Sequence, residues 1–324
     1  MHIISNSCSD HGHTLTDAKK IKIYFFYSFL CFNFYVSVHK IALIGTGLLG
    51  HSIAERWLLT SHSLLVYNRT ASKAMDLIAL GAKLCSSVSE AIEAANAIFL
   101  VLSDATVTKN LLFESNVPSA FHGKTFFQMG TISPEESEEL ALKIQEKGGS
   151  FVELPVLGSK NEAKSGTLLL MFGGSEEEYH RWYPLLSALG KVFFTGDPRK
   201  AAVLKLALNQ LIISSIIAFS TSFSMVLKER IDPELFMEIL RKSSLYCATF
   251  DKKLPRILNK DYSSANFTLK LLLKDLTLCL KETEKLSIQS EPLKAYEKLI
   301  RKAIDQGFEN CDYSSVFEAI YQIL

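Results

Sequence analysis

The chain has 324 residues, of which 48% are hydrophobic and 21% charged, and a formal net charge of +1. That is enough apolar material for two domains with cores of their own, and it excludes a disordered or fibrous class. A charge near zero, spread along the chain, excludes an electrostatic footprint for nucleic acid or an anionic membrane surface.

The six cysteines, Cys8, Cys31, Cys85, Cys247, Cys279 and Cys311, form no C-x-x-C pair and no zinc-like spacing. They suit a reducing, cytoplasmic compartment, with neither a disulfide frame nor a metal site. Residues 1–38 are a lead that does not share the pattern of the remaining chain. A polar stretch with His11, His13 and the basic run Lys19–Lys22 precedes an apolar run, Ile23–Val38. Its 16 residues, with Asn33 inside, fall short of the roughly 20 that a membrane span needs. No small-residue cleavage site is present after it, so a signal peptide or anchor is the weaker reading. The lead is expected to lie outside the working protein, with initiation at Val36 or Val38. His11-x-His13 lacks further ligands and reads as tail.

From His39 the pattern becomes periodic. An apolar strand, Ile41–Ile44, runs into Gly45-x-Gly47-x-x-Gly50 and then into a helical period through Ile53, Trp57 and Leu58. In such a turn the first glycine permits the bend, the second lets backbone approach a pyrophosphate, and the third lets helix and strand pack closely. The turn residues Gly45, Thr46, Gly47, Leu48, Leu49 and Gly50 are therefore expected to hold a dinucleotide at a helix amino terminus. A bare strand-to-helix turn is the alternative. The second strand ends in Asn68-Arg69-Thr70 rather than in the carboxylate that binds an NAD ribose. Arg69 can pair with a 2′-phosphate, and Asn68 and Thr70 can add neutral hydrogen bonds, so NADP is expected before NAD.

Further strands are expected at Ala97–Asp104, Lys124–Thr131, Ser150–Gly158, Thr167–Gly174 and Lys191–Gly196. Capping boxes at Ser87/Glu90, Ser133/Glu136 and Ser175/Glu178 open the helices between them. Repeated βαβ units predict an α/β fold, a Rossmann-type doubly wound and mostly parallel sheet over residues 39–198, with ligands at the carboxyl ends of its strands. Ser103 and Thr131 fall at that edge. After Pro198 the strand signals stop. Residues 199–324 read as an all-α carboxyl-terminal domain joined through one long helix, Lys200–Arg230, with breaks near Ile231–Glu234, Lys260–Phe267 and Ser290–Ala295. That helix is long enough to suggest a membrane span, but Asn209, Gln210 and its hydroxyl residues favour burial between domains. Lys205 and Asn209, four residues apart, share one of its faces.

These motifs together resemble the β-hydroxyacid dehydrogenases. The resemblance covers the chain from about His39 onward. It rests on Gly45–Gly50, on ELPVLGSKNEAKSGTLLLMFGG (Glu153–Gly174), on GDPRKAAVLKLALNQL with Lys205 and Asn209, and on FTLKLLLKD (Phe267–Asp275). It implies that Lys205 is the catalytic lysine and Asn209 its companion. It also places Lys274 beside the cofactor, Phe267 and Asp275 near substrate, and Thr131 against substrate or nicotinamide. The last histidine is His180, so the helical half offers no imidazole acid and a lysine must serve. Burial and the nearby Lys274 should both lower its pKa.

Gly158-Ser159-Lys160 is similar to the glyoxylate and succinic semialdehyde reductase branch. This implies NADPH-dependent reduction of a small carboxylate-bearing aldehyde, in a homo-oligomer (dimer or tetramer). A 3-hydroxyisobutyrate or tartronate semialdehyde type of dehydrogenase, or a non-catalytic NADP-binding interaction module, are the alternatives. Imine reductases replace the lysine and fit poorly. Two positions depart from the family pattern: Leu157 stands where a serine is usual, and Glu162 where a proline is. Leucine offers the substrate carboxylate no hydrogen bond, which leaves the N–H groups of Gly158 and Ser159 as candidates.

Overall fold

Strands covered on both faces are buried at every position and mostly apolar, and three here fit that description. β1 (Ile41–Ile44), β4 (Ala97–Leu100) and β5 (Thr125–Gln128) are buried throughout their length. They form the middle of a nine-stranded sheet in the computed structural model, which describes residues 39–60, 62–114 and 117–321. The expectations for residues 1–38 lie outside the described residues. The other strands are β2 (Leu64–Tyr67), β3 (Lys83–Leu84), β6 (Ser150–Glu153), β7 (Val156–Leu157), β8 (Leu168–Gly173) and β9 (Gly190–Gly196). Their order is β3-β2-β1-β4-β5-β6-β8-β7, with β9 against β8. The first six are parallel, Ile41 facing Leu64 on one side and Ala97 on the other. This is the doubly wound order whose ligands lie at the carboxyl ends of the strands.

Alternation along each strand divides the core into two layers. Ile41, Leu43, Phe99 and Phe127 point to one face. There they pack with Ile53 and Trp57 of α1 (Leu48–Leu59) and with Trp182. Phe99 stacks on Phe127 with centroids 4.3 Å apart, and Trp182 meets Phe127 edge-on at 5.4 Å. Ala42, Ile44, Ile98 and Phe126 point to the other face, against Ile92 and Leu140. The remaining helices of this half are α2 (Met75–Ala79), α3 (Val88–Ala94), α4 (Ala105–Lys109), α5 (Pro134–Glu146), α6 (Lys160–Ser165) and α7 (Glu176–Leu186).

Two local expectations are corrected, and one strand is added. Of the three expected capping boxes, only Ser133/Glu136 is reciprocal. Ser87 and Ser175 cap their helices, but Glu90 turns to the Ser86 N–H and hydroxyl, both at 2.8 Å, while Glu178 is taken by Thr125 and Trp182. The short strand β3 carries no apolar run and escapes sequence reading. The segment Ser150–Gly158 is two strands rather than one. β6 runs parallel to β5, whereas β7 pairs antiparallel with β8, Val156 opposite Leu170. Pro155 lies between them, and with no N–H to give a ladder it marks the change of partner.

The helical half opens with α8 (Pro198–Lys228), two residues before the start expected from the sequence. Asp197 caps it, accepting from the Lys200 N–H at 3.0 Å, and Pro198 occupies the first position. By length and composition this helix could cross a membrane. It instead buries Leu206, Ile213, Ile216 and Phe223 and packs against β8, α5 and later helices. Those are α9 (Pro233–Arg241), α10 (Ala248–Asn259), α11 (Leu269–Lys285), α12 (Glu291–Ala303) and α13 (Val316–Ile320). One apolar cluster joins α8 to α11 and α12, and another joins its far end to α9 and α10.

Candidate active site

The glycine turn between β1 and α1 separates structural from functional need. Gly45 has φ +101°, and a Cβ there would lie 2.4 Å from the Val101 carbonyl oxygen. A Cβ on Gly50 would lie 2.0 Å from the Gly45 carbonyl oxygen. Both glycines are demanded by the protein's own packing. Gly47 is not: its φ is −69° and a Cβ would meet nothing within 4 Å. The open backbone at Gly47 also begins α1, whose first turn has no side-chain cap. A phosphate group fits such a cradle, since N–H groups there lack helix partners and the helix dipole favours an anion. Beside it, Leu48 is exposed, and Leu49 packs on the core.

Asn68 closes this turn from below. Its Oδ1 accepts from the Thr46 N–H at 3.1 Å and its amide donates to the Thr70 carbonyl at 2.9 Å. Asn68, expected to add a neutral hydrogen bond to a 2′-phosphate, also fastens the loop and keeps one amide hydrogen for a ligand. Arg69 and Thr70 are exposed, and Arg69 has no hydrogen-bond or ion-pair partner among the described residues. Ser103, after β4, donates to Asp104 at 2.7 Å, and Asp104 caps α4.

Lys205 and Asn209 sit one turn apart on α8. Lys205 Nζ donates to the Val156 carbonyl of β7 at 2.9 Å. Asn209 Nδ2 donates to Asp275 Oδ2 of α11 at 2.6 Å, and its own Oδ1 is buried without a partner. The other Asp275 oxygen lies 2.9 Å from Lys274 Nζ, and that ammonium also donates to the Thr131 carbonyl after β5. Lys205, Asn209, Asp275, Lys274 and Thr131 thus form one polar seam between strand ends and two helices. Thr131 and Lys274 also line a cleft of about 390 Å³, with Asp104, Leu273, Lys281 and Arg301. Burial lowers the Lys205 pKa to about 8, with the Asp275 carboxylate opposing and the Lys274 charge adding to the shift. Among the described residues no cluster of side chains could hold a metal ion.

Two expected substrate contacts are not free. Phe267 packs its ring against Tyr313 at 5.8 Å and joins the helical core. Ser159 is engaged by Glu162, whose Oε2 accepts from the Ser159 N–H at 2.8 Å and from its hydroxyl at 2.7 Å. Leu157 is partly buried in β7 and Gly158 is exposed at φ +125°. Sequence reasoning missed the Val156 carbonyl as the partner of Lys205 and Glu162 as the partner of Ser159. The first is a backbone atom that no motif marks. The second had a legible signal, since Ser159-x-x-Glu162 has the same spacing as the helix caps recognised elsewhere.

A sheet that keeps backbone open at Gly47, set against a helix whose lysine has a lowered pKa, defines an NAD(P)-binding oxidoreductase. Comparison with known proteins narrows the class. Residues 40–196 match the NAD-binding domain of 6-phosphogluconate dehydrogenase, and residues 200–320 match the NAD-binding domain of NADP-dependent 3-hydroxyisobutyrate dehydrogenase. Glyoxylate/succinic semialdehyde reductase 1 of Arabidopsis thaliana is 28% identical over 284 residues, 87% of this chain and 98% of the relative. The uncharacterized oxidoreductase YfjR of Bacillus subtilis is 31% identical over 290 residues, 87% of this chain and 99% of its own. A 3-hydroxyisobutyrate dehydrogenase from Salmonella typhimurium has the same fold, with a TM-score of 0.79 at 20% identity over 86% of this chain and 99% of that one. The chain belongs to the β-hydroxyacid dehydrogenase family, related to the glyoxylate and succinic semialdehyde reductases.

Proposed function

We propose that this protein is an NADPH-dependent reductase of a small carboxylate-bearing aldehyde, with Lys205 as proton donor. The observation that carries the reading is the Lys205 ammonium, buried beside the strand ends and held by the Val156 carbonyl. Gly45, Thr46, Gly47, Leu48, Leu49 and Gly50 would hold the pyrophosphate, Arg69 and Thr70 the 2′-phosphate, and Ser103, Thr131 and Lys274 the nicotinamide end. A bound reduced nicotinamide supplies hydride chemistry. Lys205 gives its proton to the carbonyl oxygen and stabilises the negative charge that grows there, in a place with little competing water. Asn209 keeps an unpartnered acceptor beside it, and Asp275, fixed by Lys274, holds the Asn209 amide in one orientation.

Arg69 supports NADP over NAD: it is a cation after β2 with no ion-pair partner among the described residues, and Asn68-Arg69-Thr70 holds no carboxylate to repel a phosphate. An NADPH-oxidation screen over glyoxylate, succinic semialdehyde, tartronate semialdehyde and methylmalonate semialdehyde tests the reading. Turnover of at least one that Lys205→Ala abolishes is expected. No oxidation with any of them, by a protein that still binds NADPH, would favour a non-catalytic nucleotide-binding role.

A further inference from the structure

We infer that Glu162 is a specificity-determining residue: its carboxylate closes the Ser159 donors and directs the enzyme to aldehydes with no carboxylate on the carbonyl carbon. The inference rests on the reductase reading, and on Gly158–Ser159 as the wall of the substrate site. It selects the succinic semialdehyde type of substrate over the glyoxylate type.

Three observations meet at this turn. Both hydrogen-bond donors of Ser159 point at one oxygen of Glu162, at 2.8 and 2.7 Å. The other Glu162 oxygen lies 3.0 Å from Lys252 Nζ, so the side chain is tied from two directions although it is only half-buried. Finally, a Cβ added at Gly158 would lie 2.7 Å from Leu168 Cδ2 and 3.0 Å from Glu162 Cβ, so Glu162 also forms the side of the turn. Leu157 precedes it and has no polar atom to offer. The turn begins two residues after Val156, whose carbonyl holds Lys205, so an aldehyde reacting at Lys205 would place its nearest substituent here.

A carboxylate adjacent to the carbonyl, as in glyoxylate, would compete with Glu162 for the same two donors and meet its charge. The competitor stays ionised at working pH. Although burial raises the Glu162 pKa, the Ser159 hydrogen bonds and Lys252 outweigh it and hold the value at about 2. An aldehyde whose carboxylate is several carbons away presents only methylene groups to Leu157 and Gly158.

The test compares the full-length protein with Glu162→Ala and Glu162→Gln. Glyoxylate and the uncharged aldehyde butanal are titrated calorimetrically in the presence of NADP⁺, so that binding is read without turnover. Freeing hydrogen bonds to a charged group should tighten glyoxylate about tenfold or more in Glu162→Ala, with butanal within about twofold of the parent. Glu162→Gln keeps an acceptor for Ser159 without the charge, and should give a smaller tightening even if Glu162→Ala does not fold. Unchanged glyoxylate affinity, or equal tightening of butanal, overturns the inference. NADPH-linked turnover separates the two claims. Tightened glyoxylate without any aldehyde reduction removes the reductase reading and keeps Glu162, and turnover with unchanged affinity does the reverse.

Discussion

Lys205 could act as the proposed proton donor only while it is an ammonium ion, and its lowered pKa sets where that holds. With a value of about 8, the acid form predominates below that pH and the amine above it. For reduction, kcat/KM should therefore be level below about pH 8 and fall tenfold per unit above it, while oxidation of the hydroxyacid should rise with pH toward the same value. A flat profile from pH 6.5 to 9.5 in both directions would exclude Lys205 as the titrating acid. Lys205→Ala should lower kcat/KM by roughly 10²- to 10⁴-fold, the worth of general acid catalysis, with NADPH affinity nearly unchanged. In the proposed reaction Arg69 would contribute binding rather than chemistry. Arg69→Ala should raise the Kd for NADPH by about tenfold or more and leave that for NADH within a factor of two, measured by fluorescence titration. Equal effects on both cofactors would remove the 2′-phosphate contact.

At the level of the element, the glycine turn divides one motif into two kinds of constraint. Gly50→Ala brings a methyl group to 2.0 Å from the Gly45 carbonyl oxygen, so β1 and α1 must separate. It should lower the thermal midpoint and cofactor affinity together. Gly47→Ala meets no protein atom within 4 Å and keeps a backbone angle open to alanine. It should leave the midpoint within about 2 °C of the parent, as an exposed substitution does, while weakening NADPH binding by tenfold or more. If Gly47→Ala instead destabilises the protein and binds cofactor normally, the open space there serves folding and not a pyrophosphate. The break at Pro155 is a second case in which an element makes a site. By ending β6 and letting β7 pair with β8, it places the Val156 carbonyl within reach of Lys205.

Across the molecule, one buried ion pair joins distant parts of the helical half. Lys253 of α10 lies 2.8 Å from both oxygens of Asp312, which also accepts from the Ser314 hydroxyl at 2.8 Å and from the Asn266 N–H at 3.4 Å. Lys253 is 6% exposed and Asp312 is fully buried. Burial lowers the Lys253 pKa, and Asp312 opposes the shift. Removing one partner leaves an uncompensated charge inside. Asp312→Ala should therefore cost about 3–5 kcal/mol in urea unfolding, and the double change Lys253→Met with Asp312→Leu considerably less. Equal losses for the two would mean that the pair contributes shape rather than charge balance. Because Asn266 precedes Phe267, the same pair fixes the segment leading into α11, which carries Lys274 and Asp275.

The class of fold, and the face that Lys205 and Asn209 share, were legible along the chain before any packing was known. Periodicity two, then glycine spacing, specifies strand, turn and helix locally, and the i, i+4 relation puts Lys205 and Asn209 on one helix face. What those groups meet was settled by packing alone. Lys205 finds a backbone carbonyl 49 positions away, Asn209 a carboxylate 66 positions away, and Asn68 and Ser159 form hydrogen bonds with neighbouring residues. The physical reason is that propensity and periodicity act over one or two turns of chain. A hydrogen-bond partner, by contrast, is chosen by competition among all donors and acceptors that packing brings within about 3 Å.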